Sequence, residues 1–564
     1  MHFYDDWARR ILAGQGNGHL AFYGLPGYAY LLAAIYRVFG FSPFLPAMFQ
    51  SLLDAGTAVL IYKISVHLFR SFDVRLRQTT GILAAAGWAF FVPAETYAVI
   101  LMPTALAVFV FWFLIWQLVR QATAPRFLWS LLAGLLTGVT ATVVATMLFL
   151  VPLLAGAILL KPLAERASAW RNRLAVLCAL VLGLCAGTAP CWTYNAFVAR
   201  DPVFLSAHSG INLWIGNNPE ATGYPKFPPG LHASQSAMLQ DSIDVAEAAA
   251  GHPLKRGEVS QFWSSKAHTF VRENFIAWLK LLGVKVRNFW SAFQYDDLSI
   301  VTTLRDQHVT LPGIYFGFAS ALAIPGLILS WLYAPASRWV AVGILLQMAS
   351  LLSVFVTERY RLAAAPGLLI FAALGLAYFW RSIVDRHYWG ASTYGGLLVG
   401  SIFFISMPLN DPTLWALDYY NSGLQALDNN QLDLARRKLN AAYAYSPENA
   451  EVNFAQGNLH FTEGDNETAK HFYRVTLSLD PHHGGASNNL GVIALEERQW
   501  RAAETLFRRA LQQSSVDPKA HYLLARACLG AGDFSAATAE IEEATRLDPT
   551  RSEFLQLRDQ LLRR

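Results

Sequence analysis

Long apolar runs separated by short polar loops fill the first 410 residues, and this pattern predicts membrane-spanning helices. A bilayer core needs about 20 apolar residues for each helix. The sequence predicts ten spans, at residues 46–68, 80–94, 97–118, 128–142, 144–160, 174–197, 312–333, 338–356, 362–380 and 391–409. The fourth and fifth spans are divided at the small and polar residues around Thr140. We therefore expect an all-α fold in which residues 1–410 form a polytopic membrane helical bundle.

The pattern changes after residue 410, where polar helices with an internal repeat follow. Small residues recur every 34 residues in two registers, at Gly423, Gly457, Gly491 and Ala525 and at Ala435, Ala469, Ala503 and Ala537. Small residues at two places of a helix pair, at this period, are typical of tetratricopeptide repeats. Residues 411–564 are thus predicted to form an α-solenoid of about four repeats, which engages an acceptor or a protein partner.

Composition and charge fit a membrane protein and give no support to nucleic-acid binding. The chain is 54% hydrophobic and 15% charged, and its formal net charge of +5 is small for 564 residues. One set of alternate loops holds twelve Lys or Arg residues, whereas the opposite short loops hold Arg359 and Arg361. Because Lys and Arg accumulate in cytoplasmic loops, the second set is predicted to be extracytoplasmic, with both chain termini and the repeats. The predicted location is the inner, or plasma, membrane.

The N-terminal segment is predicted to lie outside, yet nothing precedes it that would carry it across the membrane. The stretch "MHFYDDWARRILAG" comes before the first predicted span, and no cleavable signal peptide precedes it. We therefore expect one further helix upstream of Met1, which makes this stretch the first outer loop. The following stretch, "AFYGLPGYAYLLAAIYRVFG", is too short to span comfortably and predicts one or two helices along the membrane surface.

A long loop at residues 200–310, rich in Trp, Pro, Gly and Asn, is assigned to the same outer face. Its segment "NFIAWLKLLGVKVRNFW" places Lys280, Lys285 and Arg287 among apolar and aromatic residues. This pattern predicts a helix lying in the membrane interface. An ordinary packed helix is the alternative.

Four outer-face stretches resemble, in their order, a known class of membrane enzyme. They are "YDDWARRILAG", "FYGLPGYAYLLAAIYRVFG", "GINLWIGNNPEATG" and "ERYRLAAAPGLLIFAALGL". Together they resemble the multi-pass glycosyltransferases of GT-C type, in particular bacterial relatives of the dolichyl-phosphate-mannose protein mannosyltransferases and the lipid A aminoarabinose transferases that carry C-terminal tetratricopeptide repeats. The resemblance implies a transferase that moves a sugar from a polyprenyl-phosphate carrier to an extracytoplasmic acceptor, a protein or a glycan. It also implies a span before the acidic loop, so that the catalytic aspartate can lie upstream of Met1.

Displacing a lipid phosphate from a sugar requires a group that meets the phosphate charge. Arginine is suited to this because its planar fork donates two hydrogen bonds to phosphate oxygens. Arg359 and Arg361 are predicted to bind the donor phosphate, and Tyr360 between them is predicted to hydrogen-bond or pack on the carrier. The alternative is that these arginines anchor helix ends. The charge bias makes arginine uncommon on this face, which favours the functional interpretation.

A carboxylate must also take the proton from the acceptor hydroxyl, on the ring face opposite the leaving phosphate if the configuration inverts. Asp5, Asp6 and Glu95, in the outer turn "PAETY", are the catalytic candidates. Adjacent residues on a helix point about 100 degrees apart, so Asp5 and Asp6 are not both expected at one reacting atom. The alternatives are a helix N-terminal pair for the aspartates and a simple turn residue for Glu95.

Polar residues of the outer loops are predicted to contact the substrate. Asn212, Asn217, Asn218 and Tyr23 can hydrogen-bond a sugar or an acceptor, although Gly-Asn-Asn is also good turn chemistry. His208 is a lone histidine, for which a structural role is expected.

No metal or cofactor is predicted, because no cluster has metal-ligand spacing. Three other functions stay open. A transporter or flippase for the lipid-linked sugar would need several ionisable groups near the midplane, where the spans offer few apart from Asp54. A membrane-anchored scaffold that displays the repeats would leave the long loop unexplained. An enzyme that polymerises or ligates sugar chains from the same carriers has overlapping physical requirements.

Overall fold

Each predicted span overlaps a helix of the computed structural model. The structure describes residues 3–15, 18–70, 73–162, 169–226, 235–293, 295, 312–333, 335–407, 412–512, 517–549 and 551–562. The chain divides into two compact units, residues 1–228 with 249–408 and residues 229–248 with 409–564. The described residues contain no β-strand, and a single isolated bridge joins Phe91 to Ile314. The all-α prediction is therefore confirmed for this part of the chain.

The helices up to residue 405 follow the order of the predicted spans. They are α1 (Phe3–Leu12), α2 (Gly27–Phe39), α3 (Phe44–Leu68), α4 (Val74–Ala89), α5 (Val92–Ala98), α6 (Thr104–Val119), α7 (Phe127–Ala141), α8 (Val151–Leu160), α9 (Ala169–Thr193), α10 (His208–Gly216), α11 (Gln235–Ala250), α12 (Arg256–Glu273), α13 (Phe275–Trp290), α14 (Phe316–Tyr333), α15 (Arg338–Ser353), α16 (Glu358–Arg361), α17 (Ala365–Val384) and α18 (Tyr388–Ile405). A 3-10 helix, Ala145–Leu150, leads into α8, and a π-helical turn, Tyr194–Val198, extends α9. Most of α11 belongs to the second unit.

Within the residues that the structure describes, four helical segments are long and apolar enough to cross a membrane by length and composition, namely Phe44–Leu68, Trp170–Val198, Pro335–Ser353 and Glu358–Val384. Five shorter apolar helices accompany them, including Thr104–Val119 and Phe316–Leu332. The predicted division near Thr140 is confirmed, because one helix ends at Ala141 and the next begins at Ala145. These features are compatible with a membrane protein.

One local prediction is wrong. The predicted turn around Glu95 is the short helix α5, and the following helix α6 starts at Thr104 rather than at residue 97. Pro93 lies in the first turn of α5, where a missing N–H breaks no helical hydrogen bond and the fixed φ angle favours helix formation.

The helices α7 and α9 approach each other through glycine. A Cβ atom at Gly134 would lie 2.1 Å from the carbonyl oxygen of Leu180, and one at Gly183 would lie 2.0 Å from that of Leu131. Any larger residue at either position would push the two backbones apart. Small residues at such crossings are typical of helix pairs in membranes.

The helix α17 occupies the centre of the first unit. It packs against α14 and α4, and its first residues, from Ala365 to Leu374, are all buried. The short turn α16 lies directly before it. This arrangement holds the predicted phosphate-binding residues of α16 at the end of the most enclosed helix in the unit.

The predicted interfacial helix is α13, and its two halves differ. Phe275, Ile276 and Leu279 are exposed beside the exposed Lys280, as expected of a helix in the membrane interface. Lys285 in the second half is completely buried. The first half therefore fits the interfacial interpretation, and the second half fits the packed alternative.

The second unit contains paired antiparallel helices at the predicted period. They are α19 (Pro412–Asp428), α20 (Leu432–Tyr445), α21 (Ala450–Thr462), α22 (Asn466–Leu479), α23 (Gly484–Glu496), α24 (Trp500–Leu511), α25 (Pro518–Gly530), α26 (Phe534–Leu547) and α27 (Ser552–Leu562). The alanines of the second register are fully buried. Gly457 faces the Tyr473 ring, and an added Cβ atom would lie 2.5 Å from a ring carbon. The predicted boundary at residue 410 lies outside the described residues.

Candidate functional site

The turn that carries the predicted phosphate-binding residues is fixed by its own cap and by a backbone contact. The Thr357 hydroxyl caps α16 and accepts a hydrogen bond of 3.4 Å from the Tyr360 N–H. The Glu358 N–H donates to the Tyr295 carbonyl oxygen at 3.1 Å. The chain beyond α13 therefore positions this turn.

Arg361 is buried and binds several protein groups. Its side chain is 1% exposed and is paired with the Glu358 carboxylate, through Nε at 2.8 Å and through a second, shorter contact from Nη2. Its terminal nitrogens also donate to the carbonyl oxygens of Ser291 at 2.9 Å and Phe293 at 2.8 Å. Because all three guanidinium nitrogens bind protein acceptors, the geometry favours a structural role for Arg361 over the predicted phosphate contact.

Arg359 has a different environment on the same turn. Its half-buried guanidinium lies over the Tyr360 ring, 4.7 Å from the centroid, and Nη2 donates to the Tyr360 hydroxyl at 3.3 Å. The Tyr360 carbonyl oxygen accepts a hydrogen bond of 3.1 Å from Nε2 of Gln347, which fixes the turn to α15. Of the two arginines, Arg359 is the better candidate to bind an anionic ligand.

The charge of Arg359 acts on side chains from two distant parts of the sequence. Burial raises the pKa of Tyr4 in α1 to about 12, and the Arg359 charge partly offsets this rise. Burial, with a smaller contribution from the Arg359 charge, lowers the pKa of His208 in α10 to about 4. The imidazole is therefore neutral near pH 7. We call Arg359, Tyr360, Tyr4 and His208 the Arg359 cluster.

His208 is held by Tyr23, which is one of the predicted substrate contacts. The two rings are stacked with centroids 4.8 Å apart. The backbone N–H of His208 donates a hydrogen bond of 3.0 Å to the backbone carbonyl oxygen of Tyr23. The Nε2 atom of His208 is buried and makes no hydrogen bond to any residue that the structure describes. A neutral imidazole with an open nitrogen can donate to or accept from a bound ligand.

The adjacent aspartates of α1 lie in opposite environments. The Asp5 carboxylate is buried, and it accepts a hydrogen bond of 2.8 Å from the Tyr36 hydroxyl and one of 3.0 Å from Nε of Arg9. Asp6 is exposed. The contacts of Asp5 favour a structural role for it, whereas the Asp6 carboxylate is open to solvent.

Glu95, the third predicted catalytic acid, lies on α5. This helix contacts α16, the turn that carries Arg359. The Glu95 side chain is half-buried, and partial burial raises the pKa of the carboxyl group. It also lies within electrostatic reach of Asp54 in α3. A carboxyl group with a raised pKa is better matched to proton transfer near neutral pH.

Among the described residues, two of the three predicted asparagines have structural hydrogen bonds, as Arg361 does, and the third does not. Asn217 uses both ends of its amide, since Nδ2 donates to the Ser353 carbonyl oxygen at 2.9 Å and Oδ1 accepts from Nζ of Lys285 at 3.1 Å. Asn218 closes the turn after α10, with Oδ1 accepting from the Glu220 N–H at 2.8 Å. Both are buried, so their geometry favours the turn interpretation. Asn212 is half-buried and has no side-chain hydrogen bond to a described residue.

Sequence reasoning missed Tyr4 and assigned His208 a structural role only. A tyrosine beside an acidic pair and an isolated histidine give no sequence signal of a shared site, because their proximity depends on α16, far along the chain. No group of three His, Cys, Asp or Glu that could hold a metal ion occurs within the described ranges.

Comparison with known proteins identifies the second unit. Two family models of the tetratricopeptide repeat match residues 420–484 and 494–561. The C-terminal region therefore contains tetratricopeptide repeats, as predicted, and these are compatible with binding a protein partner. No curated protein matches the sequence.

Several solved structures are similar to the chain. MamA (41-end) from Desulfovibrio magneticus RS-1 is 23% identical, over 27% of this chain and 85% of that chain, with a TM-score of 0.25. The Pseudomonas aeruginosa PilF structure is 21% identical, over 27% and 69% of the two chains, with a TM-score of 0.25. YrrB, described as a tetratricopeptide-repeat protein with an unusual peptide-binding site, is 15% identical, over 33% and 89%, with a TM-score of 0.24.

Proposed function

We propose that the chain is a GT-C type membrane glycosyltransferase, which moves a sugar from a polyprenyl-phosphate donor to an extracytoplasmic acceptor. The observation that carries this proposal is the electrostatic influence of Arg359 on Tyr4 and His208, since these residues come from three segments assigned to the outer face. Two of the four stretches that resemble this class, "YDDWARRILAG" and "ERYRLAAAPGLLIFAALGL", contribute directly to this cluster. A scaffold that only displays the repeats has no need of such a cluster.

The donor phosphate is assigned to Arg359. Its side chain is half-buried and its guanidinium lies over the Tyr360 ring, so it can offer charge-assisted hydrogen bonds in a partly desolvated place. Neutral His208 can add a hydrogen bond through Nε2 without adding charge. Together these groups would stabilise the negative charge that develops on the departing phosphate.

The acceptor is activated by a carboxylate, for which Glu95 is the first candidate and Asp6 the second. The acceptor oxygen forms a bond to the anomeric carbon while the bond from that carbon to the phosphate oxygen breaks. The bonding electrons leave with the phosphate, and the acceptor proton passes to the carboxylate. Attack from the face opposite the phosphate inverts the configuration.

The same proposal assigns the ten predicted spans to the membrane, with the long loop and the repeats on the outer side. The lysine and arginine bias of the loops supports this orientation. The tetratricopeptide repeats then lie on the same side as the Arg359 cluster. In this arrangement they engage the acceptor or a protein partner of the reaction.

A donor-turnover assay tests the proposal. Full-length protein in proteoliposomes would receive labelled undecaprenyl-phosphate glucose or mannose with a cell-envelope extract as acceptor, and release of undecaprenyl phosphate would be measured. We expect turnover with the wild type and a loss of about a hundredfold in Arg359→Ala. Arg10→Ala, which removes an exposed arginine of α1, is the matched control and should retain activity. Movement of intact donor across the bilayer without cleavage would instead identify a transporter.

A further inference from the structure

A groove in the long loop is lined by residues that do not belong to the Arg359 cluster. This shallow groove of about 700 Å³ runs between α10 and α12. Trp214 of α10 and Phe262 and Phe270 of α12 form its aromatic wall. Nothing in the proposed chemistry at Arg359 uses this groove.

The polar groups of the groove are arranged along one face of α12. Gln261, Ser265 and Thr269 recur every four residues, and Glu258 and Glu273 lie at the two ends of the same face. Residues four apart are neighbours on a helix, so these side chains form one continuous stripe. From Glu258 to Glu273 the stripe is about 22 Å long at 1.5 Å per residue. Such a length suits an extended oligomer rather than a single small molecule.

The charges of the groove are close to balanced. The Lys266 ammonium lies 5.0 Å from the ring centroid of Trp214 and 5.4 Å from that of Phe262, so cation–π contacts hold it against the aromatic wall. Glu258 and Glu273 add two negative charges to this one positive charge. An anionic ligand therefore gains no net attraction here.

The lining of the groove is also unsuited to a peptide ligand. Most of the lining belongs to α12, and none of the lining residues lies in a β-strand, so an extended peptide finds no strand edge to pair with. Polar side chains at each turn of α12 interrupt the apolar strip that a bound amphipathic helix requires. Sugar rings present apolar C–H faces and hydroxyl edges, which match aromatic rings beside amide, hydroxyl and carboxylate groups.

We infer that this groove binds a neutral oligosaccharide. Its use as an acceptor site rests on the proposed glycosyltransferase function, whereas the binding itself does not. The glycan would lie in the long loop of the same unit that carries the Arg359 cluster.

Binding is tested on the full-length protein in nanodiscs, without donor. Maltotetraose, cellotetraose, mannotetraose and chitotetraose are the probes, and saturation-transfer NMR with titration gives the dissociation constants. Ser265 is exposed, so Ser265→Tyr fills the groove without disturbing a buried contact. His268→Tyr is the matched control, because His268 is exposed on α12 and does not line the groove. We expect at least one probe to bind, with a tenfold or greater loss in Ser265→Tyr and less than a twofold change in His268→Tyr.

Three results would overturn the inference. They are the binding of none of the four probes, equal binding by Ser265→Tyr, and preferential binding of tetragalacturonate or of a Ser/Thr-rich dodecapeptide that Ser265→Tyr abolishes. Gln261→Ala provides a second variant at an exposed position, with an expected loss of about threefold. Donor turnover is measured in parallel with water as acceptor. Donor turnover without glycan binding would contradict only the inference that the groove binds a glycan. Glycan binding without donor turnover would contradict only the proposed reaction.

Discussion

The ammonium group of Lys285 donates a hydrogen bond of 3.1 Å to Oδ1 of Asn217 in the interior of the first unit. The same nitrogen donates to the Leu352 carbonyl oxygen at 2.9 Å. This contact joins α13 to the turn after α10 and to the end of α15. Lys285 is completely buried, and burial lowers its pKa to about 7.

The stability of the protein should therefore depend on the charge of Lys285. Below pH 7 this lysine is protonated in both the folded and the unfolded chain, and folding bears the full cost of burying the charge. Between pH 7 and the unfolded pKa of about 10.4 the folded chain is neutral there, while the unfolded chain keeps the proton. Wild-type stability relative to Lys285→Met should rise between pH 7 and 9, by up to about 2 kcal/mol.

Thermal unfolding of the detergent-solubilised protein at several pH values measures this difference. Lys280→Met, at an exposed position of the same helix, is the control and should follow the wild type throughout. A constant difference between wild type and Lys285→Met across this range would contradict the role given to burial.

Arg361→Ala should destabilise the first unit strongly. It would leave the Glu358 carboxylate buried without its partner and would free the carbonyl oxygens of Ser291 and Phe293. Breaking such a pair costs about 3–5 kcal/mol. Arg361→Lys should not restore stability, because an ammonium lacks the planar fork. Normal thermal stability of Arg361→Ala with loss of donor turnover would support the predicted phosphate contact instead.

Glu95→Gln should lower donor turnover by at least about a hundredfold if this carboxylate takes the acceptor proton. Partial burial raises the pKa of Glu95, so activity should fall as the pH decreases through that raised value. Glu95→Asp should retain part of the activity, with a displaced acidic limb in the pH profile. Full activity of Glu95→Gln would exclude this residue and leave Asp6 as the candidate base.

Gly457→Ala should loosen the second repeat, because the new Cβ atom would meet the Tyr473 ring. Overpacking of this kind costs about 1–3 kcal/mol. Hydrogen exchange in α21 and α22 of the full-length protein would report the loss as faster exchange. His471→Ala, on the exposed face of α22, should leave exchange unchanged. Equal protection in the two variants would contradict the packing described here.

Hydrophobic periodicity was sufficient to predict the apolar helices and the repeats, because both depend on local spacing, but it did not predict α5 or the helices α10 to α12 of the long loop. It was not sufficient to separate Arg359 from Arg361. These residues share one helical turn and one chemistry, but the Arg361 guanidinium donates to carbonyl oxygens that follow α13, whereas the charge of Arg359 acts on Tyr4 of α1 and His208 of α10. The same holds for Asp5 and Asp6, whose difference depends on Tyr36 of another helix. Such contacts form only when distant segments meet, and a single sequence does not encode them in any local pattern.

The most direct measurement is a cryo-electron-microscopy structure of the full-length protein in lipid nanodiscs with a non-hydrolysable polyprenyl-phosphonate sugar. The account predicts phosphonate density within hydrogen-bonding distance of the Arg359 guanidinium, with Tyr4 and His208 beside it on the outer side of the bilayer. Phosphonate density bound elsewhere in the protein, or Arg359 on the cytoplasmic side, would contradict it.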